Sequence, residues 1–148
     1  MTVAEAEASF QTLTDYYFSN SRSCSCLEHF TVEEAAEKIR SMIEHMADDS
    51  AIVFGVFDRQ TLLGYLWAYE VHFREEWRVY VSEVHVDPCL RGQGFGTALL
   101  EAVEAEAVAR SIPSLYIHTE ASNTGAIRLY ERFGFQMERV QLRKALNA

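Results

Sequence analysis

The sequence predicts a mixed α/β domain, on three observations. The apolar period is helical over the first third, turns to that of strands at Ala51, and then alternates helix, strand, helix, strand to the end. There are only two prolines, no repeat and no low-complexity linker, so residues 1–148 read as one domain. Hydrophobic residues make up 49% and charged residues 24%, the usage of a chain that buries an ordinary core.

The first helix is expected from about Glu5 to Phe18, with Phe10, Leu13 and Tyr17 at helical spacing. A Ser/Asn/Cys-rich loop follows, Ser19 to Cys26. Thr31-Val32-Glu33-Glu34 fits a capping box, and the helix it opens carries Ile39, Met42, Ile43 and Met46 as a core stripe. Ile52 to Phe57 reads as strand and Asp58-Arg59-Gln60-Thr61 as turn. Leu62 to Val71 and Trp77 to Val86 are two further strands, joined across Phe73-Arg74-Glu75-Glu76. A helix begins at Gly96 or Thr97, with Leu99, Leu100, Val103 and Ala107 on one side, and ends at Ile112-Pro113-Ser114. Leu115 to Thr119 is a strand. Asn123 opens a helix that stops at Gly134, a left-handed C-terminal cap, and Phe135 to Leu146 closes as strand.

Charge excludes some functions. The formal net charge is −9 and no basic stripe is present, which speaks against nucleic acid as a partner. Glu101, Glu104 and Glu106 read as a solvated helix face. No apolar run approaches the roughly 20 residues needed to cross a bilayer. The start Met1-Thr2-Val3-Ala4-Glu5 lacks the pattern of a signal peptide, so no membrane association and a cytoplasmic location are expected. Three cysteines cannot all pair, and Cys24-Ser25-Cys26 is too short to close a metal site alone, so reduced thiols and no metal are expected. Cys89 falls in a loop beside the glycine motif.

That motif is Arg91-Gly92-Gln93-Gly94-Phe95-Gly96-Thr97, between a strand and a helix. A glycine-rich turn exposes successive N–H groups, and the helix N-terminus adds positive potential, an arrangement that binds phosphate oxygens. It is no Walker A loop, because Gly-Lys-Ser/Thr is missing. Nor is it a dinucleotide fingerprint starting at Gly92, because Thr97 stands where glycine or alanine is required. Taken with Glu83-Val84-His85-Val86-Asp87-Pro88-Cys89-Leu90 before it, the stretch resembles the cofactor motif of the GNAT superfamily of acetyl-CoA-dependent N-acetyltransferases. Asn123-Thr124-Gly125-Ala126-Ile127-Arg128-Leu129-Tyr130-Glu131-Arg132-Phe133-Gly134-Phe135 is similar to that family's second motif.

The resemblance implies a GNAT-like fold: a mostly antiparallel central sheet with a parallel strand pair at the cofactor site, flanked by helices. It implies acetyl-CoA as co-substrate, with the strand end Val84-His85-Val86 pairing with the pantetheine arm through the main chain of Val84 and Val86. Backbone N–H groups of Arg91, Gly92, Gln93, Gly94, Phe95, Gly96 and Thr97 hold the pyrophosphate in this reading. Asn123 matches an asparagine that contacts the cofactor, and Tyr130 a tyrosine that protonates the departing thiolate. The two residues are seven apart, almost two helical turns, and share a face. Asn123 also reads as a plain helix N-cap, and Tyr130 by itself as a core tyrosine.

An amine must lose a proton before or as it attacks a thioester, so a base is needed. Glu83, in the strand beside the thioester, is the first candidate. His118 stands where some relatives carry a catalytic carboxylate, and His85 and Glu120 are further options. Transfer is expected to be direct, within a ternary complex. Tyr16, Tyr17, Phe18 and Phe73 to Trp77 fall where relatives place acceptor-contacting segments, with Glu70, Glu75 and Glu76 able to attract a cation. The opening strand of many relatives is short or missing, and the C-terminus is abbreviated. A sheet edge left bare in this way invites a second subunit, so a homodimer is expected. The acceptor is expected to be a small amine or a peptide amine; the alternatives are an acyl-CoA sensor without turnover and a peptide or protein N-acetyltransferase.

Overall fold

In the computed structural model, residues 1–22 and 29–146 are described, so the Cys24-Ser25-Cys26 cluster and the second half of the loop predicted from Ser19 to Cys26 lie outside the described residues. Helices α1 (Val3–Ala8), α2 (Phe10–Arg22) and α3 (Val32–Ala47) come first. They are followed by β1 (Ala51–Asp58), β2 (Thr61–Phe73) and β3 (Glu76–Val86). After a 3₁₀ turn at Pro88–Leu90 come α4 (Phe95–Ala109), β4 (Leu115–Ile117) and α5 (Thr124–Phe133). The mixed α/β class is the predicted one, with a parallel strand pair in a mostly antiparallel sheet.

Local chemistry sets the helix ends. Thr2 with Glu5, and Thr31 with Glu34, form reciprocal capping boxes that satisfy the first free N–H groups of α1 and α3. The single first helix expected from Glu5 to Phe18 is two, because the chain breaks at Ser9, the C-cap of α1. The second of them runs on to Arg22, four residues beyond Phe18, and so carries Asn20 on a helix instead of a loop. The α4 helix starts at Phe95, slightly before the expected Gly96 or Thr97.

The sheet has the order β1-β2-β3-β4. Its first two pairings are antiparallel, and β3 pairs with β4 in parallel over three positions only, Val79 with Leu115, Tyr80 with Tyr116 and Val81 with Ile117. The β2–β3 hairpin turns on Arg74 and Glu75, both left-handed (φ 50° and 68°), the hand that matches strand twist. Two predicted strands are corrected. The fourth ends at Ile117, not Thr119. The segment 135–146 forms no strand, and leaves Met137, Val140, Leu142 and Leu146 exposed. These apolar positions do not keep a strict alternation over the segment, so no single pleat buries them together. Side chains hold the segment instead: the Tyr116 hydroxyl donates to Glu138 Oε1 (2.9 Å), and Arg139 lies over the Phe73 ring.

As expected, no strand precedes α1, and β1 is an outer strand of the sheet. The Met1 amino group donates to Val53 O at 3.1 Å. One face of the sheet packs Leu66, Ala68, Val79 and Val81 against Leu99, Leu100 and Val103 of α4. Each fully buried aliphatic side chain there contributes about 1.5–3 kcal/mol. The other face carries Val53, Leu62, Tyr65 and Trp67 beneath Leu13 of α2 and Ile39 and Met42 of α3.

A β-bulge decides which face the second half of β3 serves. Val81 is opposite Ala68 and Glu83 opposite Trp67, so Ser82 is an extra residue. Without it, Val81, Glu83 and His85 would share the α4 face by strict alternation. With it, Val84 and Val86 continue that aliphatic face, while Glu83 and His85 turn to the α2 side.

Candidate active site

The bulge falls directly after the last β3–β4 pair, so β3 has no described partner on that side from Ser82 to Val86. The Asp87 N–H donates to Leu63 O of β2, and strand groups alternate, so the main chain of His85 also faces β2. The main-chain groups of Val84 and Val86 therefore face the open edge, where Arg91 Nε reaches Val86 O at 3.2 Å. His85, between them, has its backbone turned to β2 and its ring stacked on Tyr16, so Val84 and Val86 are the residues whose main-chain groups face the edge.

The loop beyond is built for backbone exposure. Gly92 (φ 78°) and Gly94 (φ 88°) are left-handed, which is why glycine stands there; a Cβ on either would meet nothing within 4 Å. Gly94 is the N-cap of α4 and supplies no side-chain cap, so the helix opens onto space with its first N–H groups uncapped by a side chain. Gly96 is small for a different reason, since a Cβ would come 3.0 Å from Leu129 of α5. Arg91, Gly92, Gln93 and Gly94 are exposed; Phe95, Gly96 and Thr97 are half-buried at the helix start. Asn123 is the N-cap of α5, its Oδ1 accepting from Ala126 N at 3.2 Å. These features fit a ligand that combines a strand-like arm with phosphates: an open strand edge leads to a positive, glycine-lined helix end.

Where β3 and β4 part, titratable groups collect. Glu83 is half-buried, and Asn20 Nδ2 donates to its Oε2 at 2.5 Å. Burial raises its carboxyl to about 7, with the Asn20 bond pulling the other way. Tyr130, on α5, is pushed up to about 12 by burial and then by the Glu83 charge, so its hydroxyl keeps its proton. Its ring packs edge-on to Phe135, 5.8 Å away. His118 is exposed just past β4, its Nδ1 3.3 Å from the Tyr80 hydroxyl.

His85 is nearly sealed, with 4% of its surface exposed and its ring stacked 4.4 Å from that of Tyr16. Neither of its nitrogens has a hydrogen-bond partner among the described residues, and burial, then Arg91, lowers it to about 4. Tyr65 Oη and Trp67 Nε1 are likewise buried without partners on this face.

Two of the acids expected to draw a cation are already engaged. Glu70 Oε1 takes Arg110 at 2.9 Å, and Glu76 takes both Arg78 (3.1 Å) and Ser114 (2.8 Å). Glu75 stays exposed at the hairpin tip. Sequence reasoning missed Asn20, because Ser19-Asn20-Ser21 reads as loop, and it missed Trp67, Tyr69 and Tyr80, whose alternation along strands looks like ordinary sheet packing. Among the described residues no cluster of His, Cys, Asp or Glu has the makings of a metal site, and no helix is long and apolar enough to cross a membrane.

Comparison with known proteins accords with this geometry. The model of the acetyltransferase (GNAT) family matches residues 11–135. Mycothiol acetyltransferase of Mycobacterium avium (strain 104) is 39% identical over 82 residues, half of this chain and 25% of that protein. The chain thus spans about a quarter of that relative's length. The uncharacterized N-acetyltransferase YdgE of Bacillus subtilis (strain 168) is 25% identical over 150 residues, covering 99% of this chain and 95% of that protein. Among solved structures, an aminoglycoside acetyltransferase from an uncultured soil metagenomic sample superposes with a TM-score of 0.74 at 20% identity, over 99% of this chain and 95% of the other. At that identity the likeness establishes the fold.

Proposed function

This chain belongs to the GNAT family of acetyltransferases, and from that premise we propose that it moves an acetyl group from acetyl-CoA to a primary amine by direct attack in a ternary complex. The observation that carries this reading is that Glu83 lies just past the last β3–β4 pair, near enough to Tyr130 for its charge to raise that hydroxyl. Acetyl-CoA, when bound, supplies the thioester that donates the acyl group. Val84 and Val86 offer main-chain groups along the arm, the N–H groups from Arg91 to Thr97 offer a phosphate cradle, and Asn123 caps α5, the helix whose Leu129 packs against Gly96.

Asn20 occupies Glu83 Oε2, which leaves Oε1 to take the proton from the amine nitrogen. A carboxylate titrating at about 7 suits that task near neutral pH. Tyr130 Oη, protonated at every working pH, gives its proton to the departing sulfur. His118, exposed at the end of β4 with its Nδ1 3.3 Å from the Tyr80 hydroxyl, is the second candidate for the base. His85, buried and neutral, is not asked to act as the base.

Calorimetric titration with acetyl-CoA, with desulfo-CoA and ATP as controls, tests the first half. One-to-one binding that ATP does not reproduce supports the cradle; no binding at millimolar ligand removes the reading. Release of free thiol with any amine tests the second half, and binding without turnover would make the protein a sensor.

A further inference from the structure

We propose that the acceptor is a singly charged amine with an apolar or aromatic body, held against an arc of aromatic rings that leads to Glu83. This rests on the amine-transfer reading above and deepens it. Tyr17 of α2 lies 6.3 Å from Trp67, Trp67 6.5 Å from Tyr69, Tyr69 5.3 Å from Tyr80, and Tyr80 5.2 Å from His118. The arc therefore runs from α2 across β2 and β3 to the end of β4. Successive rings are inclined by 47°, 56°, 60° and 64°, so none uses its face in a parallel stack with the next. The four aromatic side chains are half-buried and His118 is exposed, which leaves ring surface for a ligand.

Two further facts define what fits. Among the described residues, guanidinium groups lie over Phe10, Phe18, Phe73 and Tyr116, and over no ring of the arc. The arc thus has the negative ring faces that attract a cation and no protein cation on them. Glu83, opposite Trp67 across the strands, is the carboxylate beside it, and its charge is felt at Tyr17 and Tyr80. Of the other acids that could attract a cation, Glu70 and Glu76 are bound by Arg110 and Arg78, and Glu75 stands at the β2–β3 hairpin tip, outside the arc. One carboxylate among rings suits one ammonium on an apolar body. A polyamine or aminoglycoside carries several ammonium groups, of which Glu83 would pair with one, and has little apolar body to lay against the rings.

The test measures thiol release at saturating acetyl-CoA with 2-phenylethylamine, spermidine and kanamycin. A kcat/KM about tenfold or more in favour of 2-phenylethylamine is expected, an amount within reach of desolvated cation–π contacts. Choline should inhibit competitively with the amine, while its uncharged isostere 3,3-dimethyl-1-butanol should not; this uses the unaltered protein. Tyr69→Leu should raise KM for 2-phenylethylamine roughly three- to tenfold with kcat held, and Tyr69→Phe should restore it, because the ring face and not the hydroxyl is at work. Preference for spermidine or kanamycin, or equal inhibition by choline and its isostere, overturns the proposal while amine transfer stands. Thiol release with no amine at all overturns the amine-transfer reading, and this inference with it.

Discussion

The two faces of one sheet do different jobs here. Toward α4 the sheet shows Leu66, Ala68, Val79 and Val81, aliphatic, dry and closely packed. Toward α2 it shows Tyr65, Trp67, Glu83 and His85, with a raised carboxyl, a depressed imidazole and four buried polar atoms that have no partner among the described residues. Unpaired buried polar groups cost stability, about 1–3 kcal/mol each. The aliphatic face offsets that cost, and the aromatic face carries the groups to which the proposed chemistry is assigned. What divides them in β3 is one residue, Ser82, whose insertion turns Glu83 away from the aliphatic layer.

The sharpest way to break the contrast is Glu83→Gln. It should lower kcat/KM by roughly 10²–10⁴, the span of general-base catalysis, and leave acetyl-CoA affinity unchanged by calorimetry. Unaltered protein should gain activity as pH rises through about 7, and the variant should lose that rise. Glu83 holds its proton more tightly when folded than when unfolded, so its charging costs stability as pH rises through 7. The variant should therefore melt higher than the parent at pH 8.

Leu100→Ala attacks the other face. Deleting a fully buried leucine should cost about 2–5 kcal/mol in denaturant unfolding, with kcat unchanged well below the transition. Tyr130→Phe should lower kcat about a hundredfold with little effect on the amine KM, since the hydroxyl is asked only to move a proton. If kcat holds, the thiolate leaves without that acid.

The mildest change expected is at His85. Its folded value, about 4, lies below the ordinary 6.5, so the unfolded chain takes up the proton first. The stability tied to its neutral form is present above 6.5 and lost as pH falls toward 4, on the order of 3 kcal/mol in all. His85→Phe should keep the stacking on Tyr16 and be neutral or slightly stabilising at pH 7. At pH 4.5, urea unfolding should show it clearly more stable than the parent.

What was legible in the sequence was local. Arg91 to Thr97 declares its turn through glycines that need positive φ, and Asn123 to Gly134 declares its helix through a cap at each end. Such signals need only neighbouring residues. Asn20 was invisible because its role depends on Glu83, sixty-three positions away, and because a Ser/Asn run favours loop until packing overrides it. The bulge leaves no mark either, since Val81-Ser82-Glu83 contains no glycine and reads as plain strand. The closing strand was overread over 135–146, where Phe135 and Met137 would fall on one face of an extended chain and Val140 and Leu142 on the other, so no one face gathers the apolar residues.

The short run from Ser82 to Val86 has a cost of its own. An open sheet edge is a template on which any extended polypeptide can add itself, and growth of that kind leads to aggregates. Here the exposure is limited to a few residues, ended by Pro88 and guarded by the charged Arg91 at Val86 O. A ligand that lies along the edge would cap the template as well as react on it. If coenzyme A is that ligand, as the proposed function has it, the protein's solubility in storage should improve when coenzyme A is added.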